Sequence, residues 1–180
     1  MKDKTIDMNE VLENCQQLPE RFNSLLMATV SPTGFPEASY AAYVKYEGSF
    51  YVYVSELAAH TRNMAHSGLA GVLFIEDEDK AANLFARQRV TYQCTALEVA
   101  RDSQAFEDIM SLFEAKFGEF INFLKQLQDF HLFRLTPQKG NFVQGFARAF
   151  TIEGDAMDQL RPINDRGHKT ASNRSSSQSN

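Results

Sequence analysis

Four groups of residues in this chain have side chains that could do chemistry. His60-Thr61-Arg62-Asn63 stands where the strand-like alternation of the first third gives way to a helical period. A helix N-terminus offers free N–H groups and a positive dipole end, and Arg62 adds a full charge. The tetrapeptide therefore suits a phosphate or a carboxylate; the alternative is the polar face of an ordinary helix. Arg87 and Arg89 fall on one face of a run rich in strand formers. Two guanidiniums there could clamp carboxylates bidentately, or form surface ion pairs with the acidic run Glu76–Asp79. Asp129 immediately precedes the apolar Phe130 and reads as a site carboxylate or as a turn residue that opens a strand. His168, in Asn164-Asp165-Arg166-Gly167-His168-Lys169, is a metal ligand if its imidazole is neutral, or a solvated side chain in a polar tail.

Several chemistries are excluded. The chain has no P-loop, no GxGxxG, no HExxH and no nucleophile-elbow serine. It has no C-x-x-C-H, so covalent attachment of a c-type haem is ruled out, and its Cys, His and carboxylate spacings do not suggest zinc. Net charge is −5, which argues against a general affinity for nucleic acid or an anionic membrane. Cys15 and Cys94 lie far apart and read as reduced thiols of a cytosolic protein. Asp3, Asp7 and Glu10 at the start, with no apolar core, do not make a signal peptide, and no apolar run is long enough to span a membrane.

The elements that must position these residues follow from hydrophobic period and punctuation. Val11, Leu12, Cys15 and Leu18 form a short amphipathic helix over residues 9–18, stopped by Pro19. Ser24–Val30, Glu37–Tyr46 and Ser49–Ser55 are three strands joined by Gly-containing turns, an antiparallel meander. Ser55 can cap a helix lined by Leu57, Met64 and Ala65 and ended by Gly68. Ala70–Ile75 is a strand, and Asn83–Val99 turns strand-like from Phe85. Ser103 opens the longest helix, with Phe106, Ile109, Met110, Phe113 and Phe117 at helical spacing until Gly118; Phe120, Ile121 and Leu124 resume the period. Residues 128–152 read as a hairpin that reverses at Thr136-Pro137-Gln138-Lys139-Gly140, with apolar mass on both faces. Beyond Gly154 the chain is polar and ends in a Ser-rich tract over 170–180. The expected architecture is α+β, mostly β: a small closed antiparallel barrel of six or seven strands with peripheral helices over 1–154, then a polar segment over 155–180.

In this arrangement the chain resembles a known family. Met27-Ala28-Thr29-Val30, Gly34-Phe35-Pro36 and Ser39-Tyr40-Ala41 resemble the opening of the FMN-binding split-barrel proteins related to pyridoxamine 5′-phosphate oxidase. The similarity is strongest to their haem-utilisation branch, the HutZ/HugZ type. It is carried by His60–Asn63, Ile75–Glu78, Leu84–Arg89, Phe117–Glu119, Leu127–Phe130, Leu132–Leu135 and Gly167–Lys169, in the family's order over residues 25–169. The resemblance implies a homodimer of split barrels that binds haem at the subunit interface and degrades it oxidatively to a biliverdin-like product, releasing iron. It implies that His168 is the axial ligand, that Asp129 from the other subunit stands beside it, that Arg89 and Arg87 lie by the haem, and that His60 lies near the dimer interface. Two other activities fit the superfamily. One is an FMN-dependent oxidoreductase, with Thr61, Arg62 and the helix start, Asn63 included, around the phosphate. The other is a haem carrier or storage protein with the same ligands and no reaction.

Overall fold

The computed structural model describes residues 7–146 and 148–163. Eight strands form one sheet: β1 (Ser24–Val30), β2 (Pro36–Tyr46), β3 (Ser49–Ser55), β4 (Leu69–Ile75), β5 (Arg89–Val99), β6 (Phe130–Gly145), β7 (Arg148–Glu153) and β8 (Gln159–Pro162). Their order is β3-β2-β1-β4-β5-β6-β7-β8, and β3 also pairs with β6. That extra pairing closes the first six into an antiparallel barrel and leaves β7 and β8 as an extension. Four helices lie around it: α1 (Met8–Gln17), α2 (Ala59–Ser67), α3 (Gln104–Phe117) and α4 (Phe120–Gln126). No helix among the described residues is long and apolar enough to cross a membrane.

Alternation along the strands builds the interior. In β1, Leu25 and Met27 point inward while Ser24, Leu26, Ala28 and Val30 face out. In β5, Val90, Tyr92, Cys94 and Ala96 do the same. Every residue of Ser49–Val54 is buried, because Phe50, Val52 and Val54 fill the barrel and Tyr51 and Tyr53 lie beneath α3. The helix α3 seals that outer face with Phe106, Ile109, Met110 and Phe113, and the Ser103 hydroxyl caps it by accepting from the Phe106 N–H at 3.2 Å. At one end of the barrel, Val11, Cys15 and Leu18 enter the core from α1 and its C-cap, and the Tyr43 hydroxyl donates to the Pro19 carbonyl at 2.6 Å. Burial pushes the Cys15 thiol up to about 11 and that of Cys94 up to about 12, so both are unreactive apolar packing.

Three local expectations are corrected. The reversal placed at Thr136–Gly140 is not a turn: β6 runs through it as a single strand of 16 residues, paired with β5 from Leu132 to Val143. A register shift opposite Gln93 and Cys94 absorbs Gln138 as a bulge. Pro137 is tolerated because β3 stops pairing at Leu135 and β7 begins at Gly140, so β6 has a neighbour on one edge only there. Gly140 does not adopt the left-handed backbone of a turn. A Cβ at this position would stand 2.8 Å from the Thr91 carbonyl oxygen, 2.9 Å from Tyr92 Cδ1 and 3.1 Å from Ile152 Cδ1. Second, α2 starts at Ala59 with Ala58 as its N-cap; Ser55 ends β3, and Leu57 and Ala65 are exposed. Third, residues 84–86 form a 3₁₀ turn, so β5 begins only at Arg89 and Arg87 precedes the strand. Beyond these, β8 is the second strand of the extension, which the polar composition after Gly154 does not announce.

Gly140→Ala tests the close approach. The Thr91 carbonyl belongs to a paired strand and cannot move aside like a flexible side chain, so the substitution should lower unfolding free energy by about 1–3 kcal/mol in a denaturant titration. Wild-type stability would show that the strands separate at no cost.

Candidate functional site

The barrel end opposite α1 is polar. The inward alternation of β5 continues past Ala96 to Glu98, that of β6 runs back from Phe133 to His131, and Glu56 follows the last inward residue of β3. These three meet at the mouth. His131 Nδ1 lies 2.6 Å from Glu98 Oε1, and its Nε2 lies 2.7 Å from Glu56 Oε1. Both ring nitrogens face carboxylates, which the imidazolium satisfies by donating twice. The bond to Glu98, and after it that to Glu56, holds His131 above the ordinary histidine range, against the downward pull of partial burial. Above them α2 covers the opening, with Thr61, Arg62 and Ala65 joining Glu56, Glu98, His131 and Phe133 around a cavity of about 280 Å³.

The turn from β3 into α2 connects this rim to Asp129. Asp129 precedes β6, where Ser55 pairs with Phe130. The Ser55 hydroxyl donates to Asp129 Oδ2 at 2.8 Å, and the Glu56 N–H donates to the Asp129 carbonyl at 2.8 Å. The tetrapeptide at the start of α2 divides its side chains. Thr61 Oγ1 donates to the Ser55 carbonyl at 2.6 Å, and Arg62 Nη1 donates to the Glu56 carbonyl at 2.7 Å. Asn63 is buried and donates to Thr29 Oγ1 at 3.0 Å and to Glu37 Oε2 at 2.6 Å. His60 turns the other way, its Nδ1 lying 3.0 Å from Ser39 Oγ, and burial lowers its proton affinity, so its ring is neutral near pH 7. It borders an open cavity of about 660 Å³ lined by Glu37, Ala38, Ser39, Tyr40, Ala58 and Ala59.

The two arginines lie elsewhere. Arg87 Nε donates to the Glu76 carbonyl at 2.8 Å, with a second, short contact from Nη2, and Nη1 pairs with Glu78 at 3.2 Å. For Arg87 the surface ion pair is therefore what forms. Arg89 Nη1 donates to the Arg87 carbonyl at 3.1 Å, and Arg89 has no carboxylate partner among the described residues. It pairs in register with Val143, close to the far end of β6. Between Asp129 and Val143 lie ~45 Å of strand contour at about 3.3 Å per residue. One chain thus keeps Asp129 and Arg89 at opposite ends of β6. His168 lies outside the described residues. Glu56, Glu98 and His131 were not among the sequence candidates, and Ser55 was read only as a helix cap. The local signal for Glu98 and His131 is a polar residue at an inward position of an otherwise apolar strand, and their partners come from separate segments.

The closed barrel with its strand extension, and the helix that covers one mouth, define a split-barrel protein. The profile of the pyridoxamine 5′-phosphate oxidase family matches residues 11–144. Haem oxygenase HutZ of Vibrio cholerae is 39% identical over 150 residues, covering 83% of this chain and 85% of its own. The crystal structure of the same bacterium's HutZ, described as a haem storage protein, superposes with a TM-score of 0.67 at 37% identity, covering 70% of this chain and 89% of that one. Campylobacter jejuni ChuZ superposes with a TM-score of 0.82 at 29% identity, over 93% of this chain and 69% of its own. The chain belongs to the pyridoxamine 5′-phosphate oxidase family and, within it, to the HutZ type.

The His131 contacts predict a pH dependence of stability. Because its folded proton affinity is raised, the stabilisation is fully present below the ordinary value of 6.5 and is lost as pH rises through the folded value. The melting temperature of wild type should exceed that of His131→Gln most at about pH 5.5–6, with the gap closing as the solution becomes alkaline. A gap that does not change with pH would show that no charge on His131 is involved.

Proposed function

We propose that this chain binds haem between two subunits and degrades it oxidatively to a biliverdin-like product, releasing iron. The observation that carries the reading is Asp129: a carboxylate held through Oδ2, with Oδ1 free of partners among the described residues. Such a group can accept the ring N–H of a metal-bound histidine, fix its tautomer and raise its basicity. The family motif supplies that histidine as His168. Other features fit haem. The cavity beside neutral His60 has small alanines and the exposed Tyr40 ring, a wall suited to a flat apolar ligand. Arg89 is a guanidinium with no carboxylate partner among the described residues, available to a propionate, and Arg87 is two residues away. Haem, when bound, would supply the iron that reacts with oxygen; Asp129 would orient the imidazole of His168, and Arg89 and Arg87 would neutralise the propionates. The FMN alternative is less supported by this geometry, since Thr61 and Arg62 are both committed to carbonyls of the 55–56 turn and Asn63 to Thr29 and Glu37.

A second copy is part of the reading. The outward face of β1, β2 and β4 carries Leu26, Tyr40 and Leu73, in register with one another, and the small residues Ala28, Ala38 and Gly71. Tyr40 is 70% exposed and Leu26 45%. A contiguous apolar sheet face of this kind marks a contact surface. A two-fold axis would also let Arg89 of one protomer approach the Asp129 end of its partner, which no single chain can do.

Haemin added to the purified protein should give a shifted Soret band, lost in His168→Ala. Asp129→Asn should retain haem and slow its consumption by roughly 10–100-fold. Iron release in a single turnover with reductant and oxygen distinguishes degradation from carriage; haem that survives this treatment means storage. In sedimentation experiments wild type should be dimeric and Leu26→Asp monomeric. A monomeric wild type with full turnover would remove the two-subunit site.

A further inference from the structure

Asp129 belongs to no strand or helix. It ends the short connector between α4 and β6, where a side chain would ordinarily sample many directions. Here the connector is gripped from beneath by Arg101. Its Nη1 donates to the Lys125 carbonyl at 2.7 Å, and its Nη2 to the carbonyls of Leu127 at 2.9 Å and Phe130 at 2.8 Å. Nη2 also contacts the Tyr53 hydroxyl at 3.2 Å, which itself donates to the Leu124 carbonyl at 3.3 Å. The guanidinium packs over the Phe106 ring with its carbon 5.4 Å from the centroid. No carboxylate pairs with Arg101 among the described residues. Nη1 and Nη2 reach carbonyls on both sides of Asp129, one in the last turn of α4 and one at its C-cap Leu127, where a cation is favoured. A planar fork serves several carbonyls at fixed angles, whereas the donors of an ammonium group sit at the end of a flexible stem without that fixed geometry.

Ser55 does for the carboxylate what Arg101 does for the backbone. The Leu57 N–H donates to Ser55 Oγ at 3.2 Å, which leaves the hydroxyl proton for Asp129 Oδ2. One carboxylate oxygen is thereby occupied, and the other has no partner among the described residues. We infer that Arg101 and Ser55 are positioning residues for Asp129: Arg101 sets the connector, and Ser55 sets the carboxylate so that a single oxygen meets the axial histidine. The inference rests on the haem reading of Asp129, and the experiment separates the two.

Without haem, amide exchange over residues 127–130 should accelerate roughly ten-fold in Arg101→Lys, while exchange in the barrel strands stays as in wild type. Unchanged exchange in the connector overturns the role of Arg101 whatever Asp129 does. With haemin bound and reduced, the iron–histidine stretching band reports the hydrogen bond on the axial ring. Asp129→Asn, which keeps an acceptor oxygen but no charge, fixes the band position for the weakened bond. Ser55→Ala and Arg101→Lys should move the band part of the way there, slow haem consumption by roughly ten-fold and change the haem dissociation constant less than about three-fold; Ser55→Thr should restore the wild-type band. A band moved by Asp129→Asn and unmoved by Ser55→Ala overturns the positioning inference. A band unmoved by Asp129→Asn overturns the reading of Asp129 and this inference with it. If Arg101→Lys does not fold, Ser55→Ala against Ser55→Thr decides the outcome.

Discussion

The structure depends on one strand that belongs to two assemblies. Along one edge β6 pairs with β5 over nearly its whole length. Along the other edge its first part, Phe130–Leu135, pairs with β3 and closes the barrel, while its last part, from Gly140, carries β7. Residues 136–139 between these two partners have a free edge; the bulge and Pro137 lie there, and Gly140 stands where the pairing with β7 begins. Each would weaken an ordinary central strand, and each is harmless or required at the point where a strand changes neighbours. Closure removes the exposed edges that an open sheet of this length would present.

Closure also creates the polar rim. Inward positions of β3, β5 and β6 are apolar until the barrel ends, and the next residues of the same alternation are Glu56, Glu98 and His131. A charged group there can reach water, whereas one residue deeper it would be buried among Val54, Ala96 and Phe133. The helix α2 docks over the rim through buried Thr61, Asn63 and Met64, each tied inward by a hydrogen bond or by core packing. The 55–61 turn is consequently held at both ends, and Asp129 inherits that rigidity through Ser55 and the Glu56 N–H. A site carboxylate on a connector is as well placed as one on a strand when its neighbours are fixed this way.

The length of β6 separates the two halves of the proposed site. Arg89 and Asp129 are tied to opposite ends of one rigid ladder, and a rigid ladder cannot fold back on itself. On the proposed reading, a ligand that meets both lies between two copies of the chain. The apolar outward face around Leu26, Tyr40 and Leu73 is consistent with such pairing, since a monomer gains nothing by displaying it.

Much of the fold was legible in the sequence, because period and punctuation are local. The bounds of β1 and β3 follow from alternation and flanking turns, and α3 follows from its Ser103 cap, its apolar stripe and Gly118. The ordered motifs from Met27 to Lys169 indicated the family to which the chain belongs. What could not be read locally was which edges are paired. Thr136–Gly140 has the composition of a turn, and only pairing with β5 makes it strand; Gly140 is needed because of Thr91 and Ile152, far away in sequence. His131 has no partner within its own segment, and its two glutamates arrive from β5 and from the turn after β3. Asp129 stood out as a candidate from its motif, yet Ser55 and Arg101, which fix it, come from elsewhere in the chain. Local pattern determines which way a side chain faces along its own element; long-range register determines what it faces, and the chemistry of this site lies in the second.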